Sequence, residues 1–226
     1  MQYINRFINI KRALLIIIII LLLEDLSSSI FLSSNILYFN MLIKLNLIRI
    51  TELLVTLFLV IFLWNGTWKD LGFKSEKITH DLKYAFYFIL GLGGFVILFE
   101  VFSFILYKED IIVYLVDYSL PIDDTKYMML YIFTAVLGAS ITEEFFFRHI
   151  IYGTLRTKFN VYISIIITSI VFAYLHFTDI YYSIIPLLGG ILFAVLYELT
   201  GNLIAPVILH SAGNLTLTLI TIIYRK

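Results

Sequence analysis

The chain has 226 residues, 61% of them hydrophobic and 14% charged, with a mean hydropathy of +0.98. No soluble domain of this length needs so much apolar surface, so a lipid bilayer is the expected solvent. Sixteen basic side chains balance sixteen acidic ones, which leaves no excess charge for binding nucleic acid, and the lack of cysteine excludes disulfides, thiolate nucleophiles and cysteine metal sites.

Seven apolar stretches, 13–39, 48–64, 84–107, 127–152, 161–177, 183–199 and 203–223, approach the roughly 20 residues that a helix needs to cross a bilayer. They predict an all-α, polytopic membrane bundle of seven or eight transmembrane helices, forming one domain over 1–226. The first stretch follows Arg6, Lys11 and Arg12 like a signal-peptide core, but without a small-residue cleavage site it reads as a retained membrane helix. Glu24, Asp25 and Ser27-Ser28-Ser29 interrupt it, so it is expected to bend or divide, and an eighth helix could lie there. Next, residues 65–83 set Lys69, Lys74, Lys77 and Lys83 beside Trp64 and Trp68, a pattern suited to a cytoplasmic interface.

In the third stretch, Gly91, Gly93 and Gly94 suggest close approach of another helix, and Glu100 reads as a hydrogen-bonded structural carboxylate. Residues 108–126 carry Glu109, Asp110, Asp117, Asp123 and Asp124 and suit the opposite side, from which Arg156 and Lys158 return the chain to the cytoplasm. The terminal Arg225-Lys226 runs against this alternation, because seven spans would leave it outside.

The fourth stretch holds the most informative run, Thr142-Glu143-Glu144-Phe145-Phe146-Phe147-Arg148. A charge costs about 2.5–3.5 kcal/mol to insert at the centre of a bilayer, so such groups face a protein interior or a wet cavity. His176 and the pair His210 and Asn214 lie in later apolar stretches. A short turn near 157–160 should make an antiparallel hairpin of the fourth and fifth helices, which puts Glu143 and His176 both roughly 20–25 Å from it. Measured from the turn at Gly201-Asn202, His210 comes out at only roughly 12 Å, a mismatch that tilt or bending would have to close.

Faces divide the labour. Glu144 and Arg148 stand four apart and can form an ion pair, whereas Glu143 sits about 100° around the helix and is free to meet the imidazoles. His210 and Asn214 share a face in the same way. A carboxylate beside histidine can move a proton from water to a leaving amine, and histidine with asparagine can donate to an oxyanion. Alternatively, Glu143, His176 and His210 could hold a divalent metal such as zinc, whose bound water becomes the nucleophile. Each group also has a plainer reading, as an ion pair locking helices or as a histidine bonded within the core. Phe172 reads as packing, and a proton-relay transporter is disfavoured by the lack of an inverted repeat.

At these residues the chain resembles the CAAX-protease and bacteriocin-processing family of intramembrane peptidases, also called the Abi family. Its signatures EExxxR, FxxxH and HxxxN match as Glu143-Glu144…Arg148, Phe172…His176 and His210…Asn214, in the family's order. The run from Gly189 to Asn202 resembles the approach to its last motif, and the likeness covers about 127–220, with 1–80 sharing little beyond hydrophobicity. The resemblance implies an intramembrane endopeptidase acting on a membrane-associated or peptide substrate. It implies that Glu143 activates water with His176, that Arg148 holds Glu144, and that His210 and Asn214 form the oxyanion hole. A peptide-binding or bacteriocin-immunity protein on the same scaffold, without hydrolysis, is the alternative. His149 departs from the glycine that members often carry there, and it stands too far around the helix from Glu143 to act as a ligand. The lack of cysteine and the isoleucine-rich, AT-rich flavour favour a bacterial, multi-pass protein of the cell membrane, for which prenylated substrates are not expected. Substrate identity, metal dependence and oligomeric state are left open by the sequence.

Overall fold

The computed structural model describes residues 9–31, 38–108, 125–176 and 184–224. Among them are seven long helices and no strand: α1 (Ile10–Phe31), α2 (Tyr38–Leu57, continued by a wider π-helical turn over Phe58–Leu63), α3 (Ile78–Tyr107), α4 (Thr125–Leu155), α5 (Val161–Leu175), α6 (Ile184–Thr200) and α7 (Ile204–Tyr224). The helical membrane bundle expected from composition is therefore what the chain forms. Four segments, Leu42–Leu63, Ile78–Tyr107, Thr125–Leu155 and Ile204–Tyr224, are long and apolar enough to cross a bilayer. With 15 and 17 residues, α5 and α6 reach only about 22 and 25 Å, less than the full-length spans the sequence pattern suggested.

Two helices begin earlier than hydropathy placed them. The second starts at Tyr38 rather than 48, and the third at Ile78 rather than 84. In each, one of the polar residues that lowered local hydropathy faces protein. Asn46 donates to Thr134 Oγ1 of α4 and to Leu42 O, and Asp81, fully buried, accepts from the Asn202 amide. The interruption expected at Glu24, Asp25 and Ser27-Ser28-Ser29 does not break α1, which runs through them to Phe31; residues 32–37, the acidic part of 108–126 and the tail 225–226 lie outside the described residues.

The central element is α4, which packs against α1, α2, α5, α6 and α7, while α3 leans on α6 and α7. Helices in lipid gain nothing from hiding one apolar side chain against another, so close approach and polar contacts hold them together. The α5–α6 pair illustrates this. Ser164, Thr168 and Ser169 are buried on α5, and a Cβ on Gly190 of α6 would lie 3.1 Å from Ser169 Cα. By contrast, a Cβ on Gly91, Gly93 or Gly94 of α3 would meet nothing within 4 Å, so the close helix approach expected there is not made among the described residues. Glu100, nearby, is half-buried and does have a partner.

Between α2 and α3 the chain folds over the end of the bundle and plugs it. Thr67 and Asp70 cap a short 3-10 turn, with the Thr67 N–H and hydroxyl donating to Asp70 Oδ2 at 2.8 and 2.7 Å. Gly72 then turns the backbone at φ +87°, where a Cβ would clash with His149 Nδ1 at 2.7 Å and Leu203 at 2.9 Å. From there the loop grips the α6–α7 turn: Leu203 N–H donates to Gly72 O, Lys74 N–H to Asn202 Oδ1, and Lys74 Nζ to Gly201 O. Trp68 is exposed, whereas Trp64 is half-buried with the Arg12 guanidinium 5.0 Å above its ring. Near the α4–α5 turn, Arg156 donates to both oxygens of Glu198 at 3.1 and 3.2 Å, and these bonds hold its guanidinium above the ordinary arginine range.

Candidate active site

Glu144 and Arg148 form the anchor of the site. Both are fully buried, one helical turn apart on α4, with Arg148 Nε 3.0 Å from Glu144 Oε2. Burying either charge alone would cost several kcal/mol, so the pair is tolerable only together. The rings of Phe172, Phe193 and Phe147 surround the guanidinium, with centroids 4.8, 5.2 and 5.8 Å away. Phe172 thus packs as expected, and it does so against the arginine. The second oxygen of Glu144 accepts from His210 Nδ1 at 2.8 Å, and the His210 ring stacks on Phe193.

Around the helix, Glu143 points to both imidazoles. Its Oε2 lies 3.4 Å from His176 Nε2 and 3.8 Å from His210 Nε2. The far nitrogens are held: His176 Nδ1 donates to Phe172 O at 2.8 Å, and His210 Nδ1 donates to Glu144. A carbonyl and a carboxylate only accept, so these bonds fix the Nδ1–H tautomer when the rings are neutral. Both Nε2 lone pairs then face the Glu143 carboxylate. Three acceptors converging on one place need a proton, a water or a cation among them. This donor set is one a divalent metal can use, with each imidazole braced from behind. Among the described residues, however, no group of three His, Asp or Glu side chains stands arranged to hold an ion.

The depth mismatch computed for His210 does not arise. The turn at 201–203 is not at the rim of the bundle but sunk within it, fully buried under the loop 65–77. Its contact partner through Gly72, His149, lies on α4 six residues before that helix ends at Leu155, so α7 starts roughly 9 Å deeper than the end of α4. That offset supplies the missing depth. His149 itself stays out of the site, as expected: Nε2–H donates to Asp70 O at 2.7 Å and Nδ1 accepts from the Tyr197 hydroxyl at 3.0 Å.

Asn214 is one turn beyond His210 on α7, and its amide donates to Ala135 O of α4 at 2.7 Å. That carbonyl belongs to a π-helical turn, Phe133–Gly138, and lies eight residues before Glu143. Asn214 is therefore tied to α4 beside the cluster rather than to Glu143 or His176. A second π-helical turn, Phe145–Tyr152, begins directly after the Glu143-Glu144 pair, and such turns often accompany functional sites.

Glu143, His176 and Thr142 open on a cavity of about 370 Å³ between α1, α2 and α4. One face of α2, formed by Arg49, Glu52, Leu53 and Thr56, also lines it. Arg49 Nη1 donates to Glu52 Oε2 at 3.1 Å, and the Glu52 side chain is buried. The sequence reading passed over this face. The signal was present as Asn46, Arg49, Glu52 and Thr56, polar residues recurring at three- and four-residue spacing within an apolar helix.

Residues 125–216 match the family described as type II CAAX prenyl endopeptidase, Rce1-like, a span of less than half of the chain. The match begins with α4 and contains all three motifs, so the resemblance read from Glu143-Glu144…Arg148, Phe172…His176 and His210…Asn214 stands on this segment. No curated protein and no solved structure matches the chain.

Proposed function

We propose that this chain, whose residues 125–216 carry the likeness to membrane CAAX endopeptidases, is an intramembrane endopeptidase of the bacterial cell membrane that hydrolyses a peptide bond of a membrane-associated substrate. The observation that carries the reading is the convergence of two braced imidazoles on one carboxylate oxygen at the edge of a cavity. Glu143 and His176 share the task of accepting a proton from water as its oxygen attacks the scissile carbonyl carbon. The carbonyl oxygen becomes an oxyanion, and His210, held at Nδ1 by Glu144, turns Nε2 toward it and donates when that nitrogen carries a proton. Asn214 fixes α7 against α4 through Ala135, which keeps His210 in register. When the intermediate collapses, the C–N bond breaks and the proton taken from water passes to the leaving amine. Arg148 fixes the Glu144 carboxylate inside the bundle and so sets His210's orientation.

The test is cleavage of a peptide library by the purified chain in lipid vesicles. Glu143→Ala, His176→Ala and His210→Ala are each expected to abolish processing while the amount of protein in the membrane stays the same. Full activity in all three would overturn the assignment. Repeating the assay with a chelator separates glutamate-and-histidine catalysis, which survives, from a metal-bound water, which does not.

A further inference from the structure

We propose that Arg49 is a carboxylate-binding subsite of the cavity and selects substrates that carry an acidic group near the bond to be cut. This deepens the peptidase reading and rests on it for the nature of the ligand as a peptide.

Arg49 and Glu143 belong to different helices and line the same cavity. Among the described lining residues there is no lysine or second arginine, so Arg49 is the strong cation they present to an entering substrate. Its setting is unusual for a membrane helix. It lies seven residues into the apolar span Leu42–Leu63, where a guanidinium is costly unless it serves a partner or a wet site. Glu52 braces it from below at 3.1 Å, and the two differ in exposure: the Arg49 side chain is 27% exposed and that of Glu52 only 5%. Of the pair, then, the guanidinium is the member presented outward and the carboxylate is the buried support.

One turn earlier, Asn46 ties α2 to Thr134 of α4, which fixes the distance across the cavity. A guanidinium with five donors in a planar fork suits a carboxylate better than any other peptide group. The rest of the lining is largely apolar, with Ile20, Leu21, Phe146 and Leu175 around the mouth of the catalytic cluster. The site therefore fits a hydrophobic peptide segment with one carboxylate, supplied either by its free C-terminus or by an acidic side chain.

The experiment measures binding of fluorescent hexapeptides of Leu, Ala and Phe to the full chain in phosphatidylcholine vesicles. Four probes are compared: the free acid, the C-terminal amide, the amide with one internal Glu, and the amide with Gln there. A charge-assisted bond to arginine predicts about ten- to hundredfold tighter binding of a carboxylate-bearing probe than of its neutral twin. Preference for the free acid over the amide identifies the chain terminus as the ligand, and preference for Glu over Gln identifies a side chain. Arg49→Gln should equalise each pair, and Arg49→Lys should retain part of the preference. Equal binding of all four probes by the wild type, or binding of none, overturns the proposal, as does a preference that survives Arg49→Gln. Cleavage is scored in parallel on the same probes. Preference without cleavage refutes the peptidase reading and leaves the subsite standing, whereas cleavage without preference does the reverse.

Discussion

Helices α3 and α4 are almost equal in length, at 30 and 31 residues, yet they are opposites in use. The more apolar of the two is α3, whose most apolar stretch is only 6% buried, against 39% for that of α4. In a soluble protein the more apolar helix would be the hidden one. Here the bilayer takes that role, so apolar surface is directed outward and the polar helix occupies the centre. The Glu143, Glu144 and Arg148 charges are therefore diagnostic of position: they mark the part of α4 that the rest of the bundle covers.

That contrast is open to direct attack. The largest effect is expected on α4. Arg148→Ala breaks the buried pair and leaves Glu144 with only its His210 bond, and such a change typically costs about 3–5 kcal/mol. It should appear as loss of folded protein in detergent unfolding curves, and a variant as stable as wild type would mean that the pair does not organise the core. On α3 the rule is inverted. Leu98 is 71% exposed, so Leu98→Arg should impair insertion by about 2.5–3.5 kcal/mol, read as the membrane-integrated fraction, while Leu98→Ala should leave unfolding unchanged to within about 0.5 kcal/mol. Harmless insertion of arginine there would show that α3 faces water or protein. The smallest effect concerns the plug that sets α7's depth. Gly72→Ala adds a Cβ to a left-handed residue against His149, and about 1–3 kcal/mol of destabilisation is expected from thermal unfolding.

What the sequence disclosed follows the same division. The catalytic candidates were legible because each is a charge or imidazole in an apolar run, and because helical spacing puts Glu144 under Arg148 and leaves Glu143 free. Helix starts were not, because Asn46 and Asp81 lower local hydropathy while facing protein partners. The meeting of His210 with Glu143 was also hidden. It depends on the 201–203 turn being buried under Gly72 and Lys74, a long-range contact that no periodicity encodes. The glycines of α3 misled for the opposite reason: a small residue permits close approach but does not supply a neighbour.

The central claim is that the Glu143 carboxylate does the proton work in a cavity where substrate is held by other groups. The most direct measurement is Glu143→Gln, which preserves shape and removes the base, assayed for both cleavage and peptide binding in vesicles. The account predicts a fall in kcat of about 10²–10⁴-fold with peptide affinity retained. Retained kcat, or affinity lost in step with turnover, would contradict it.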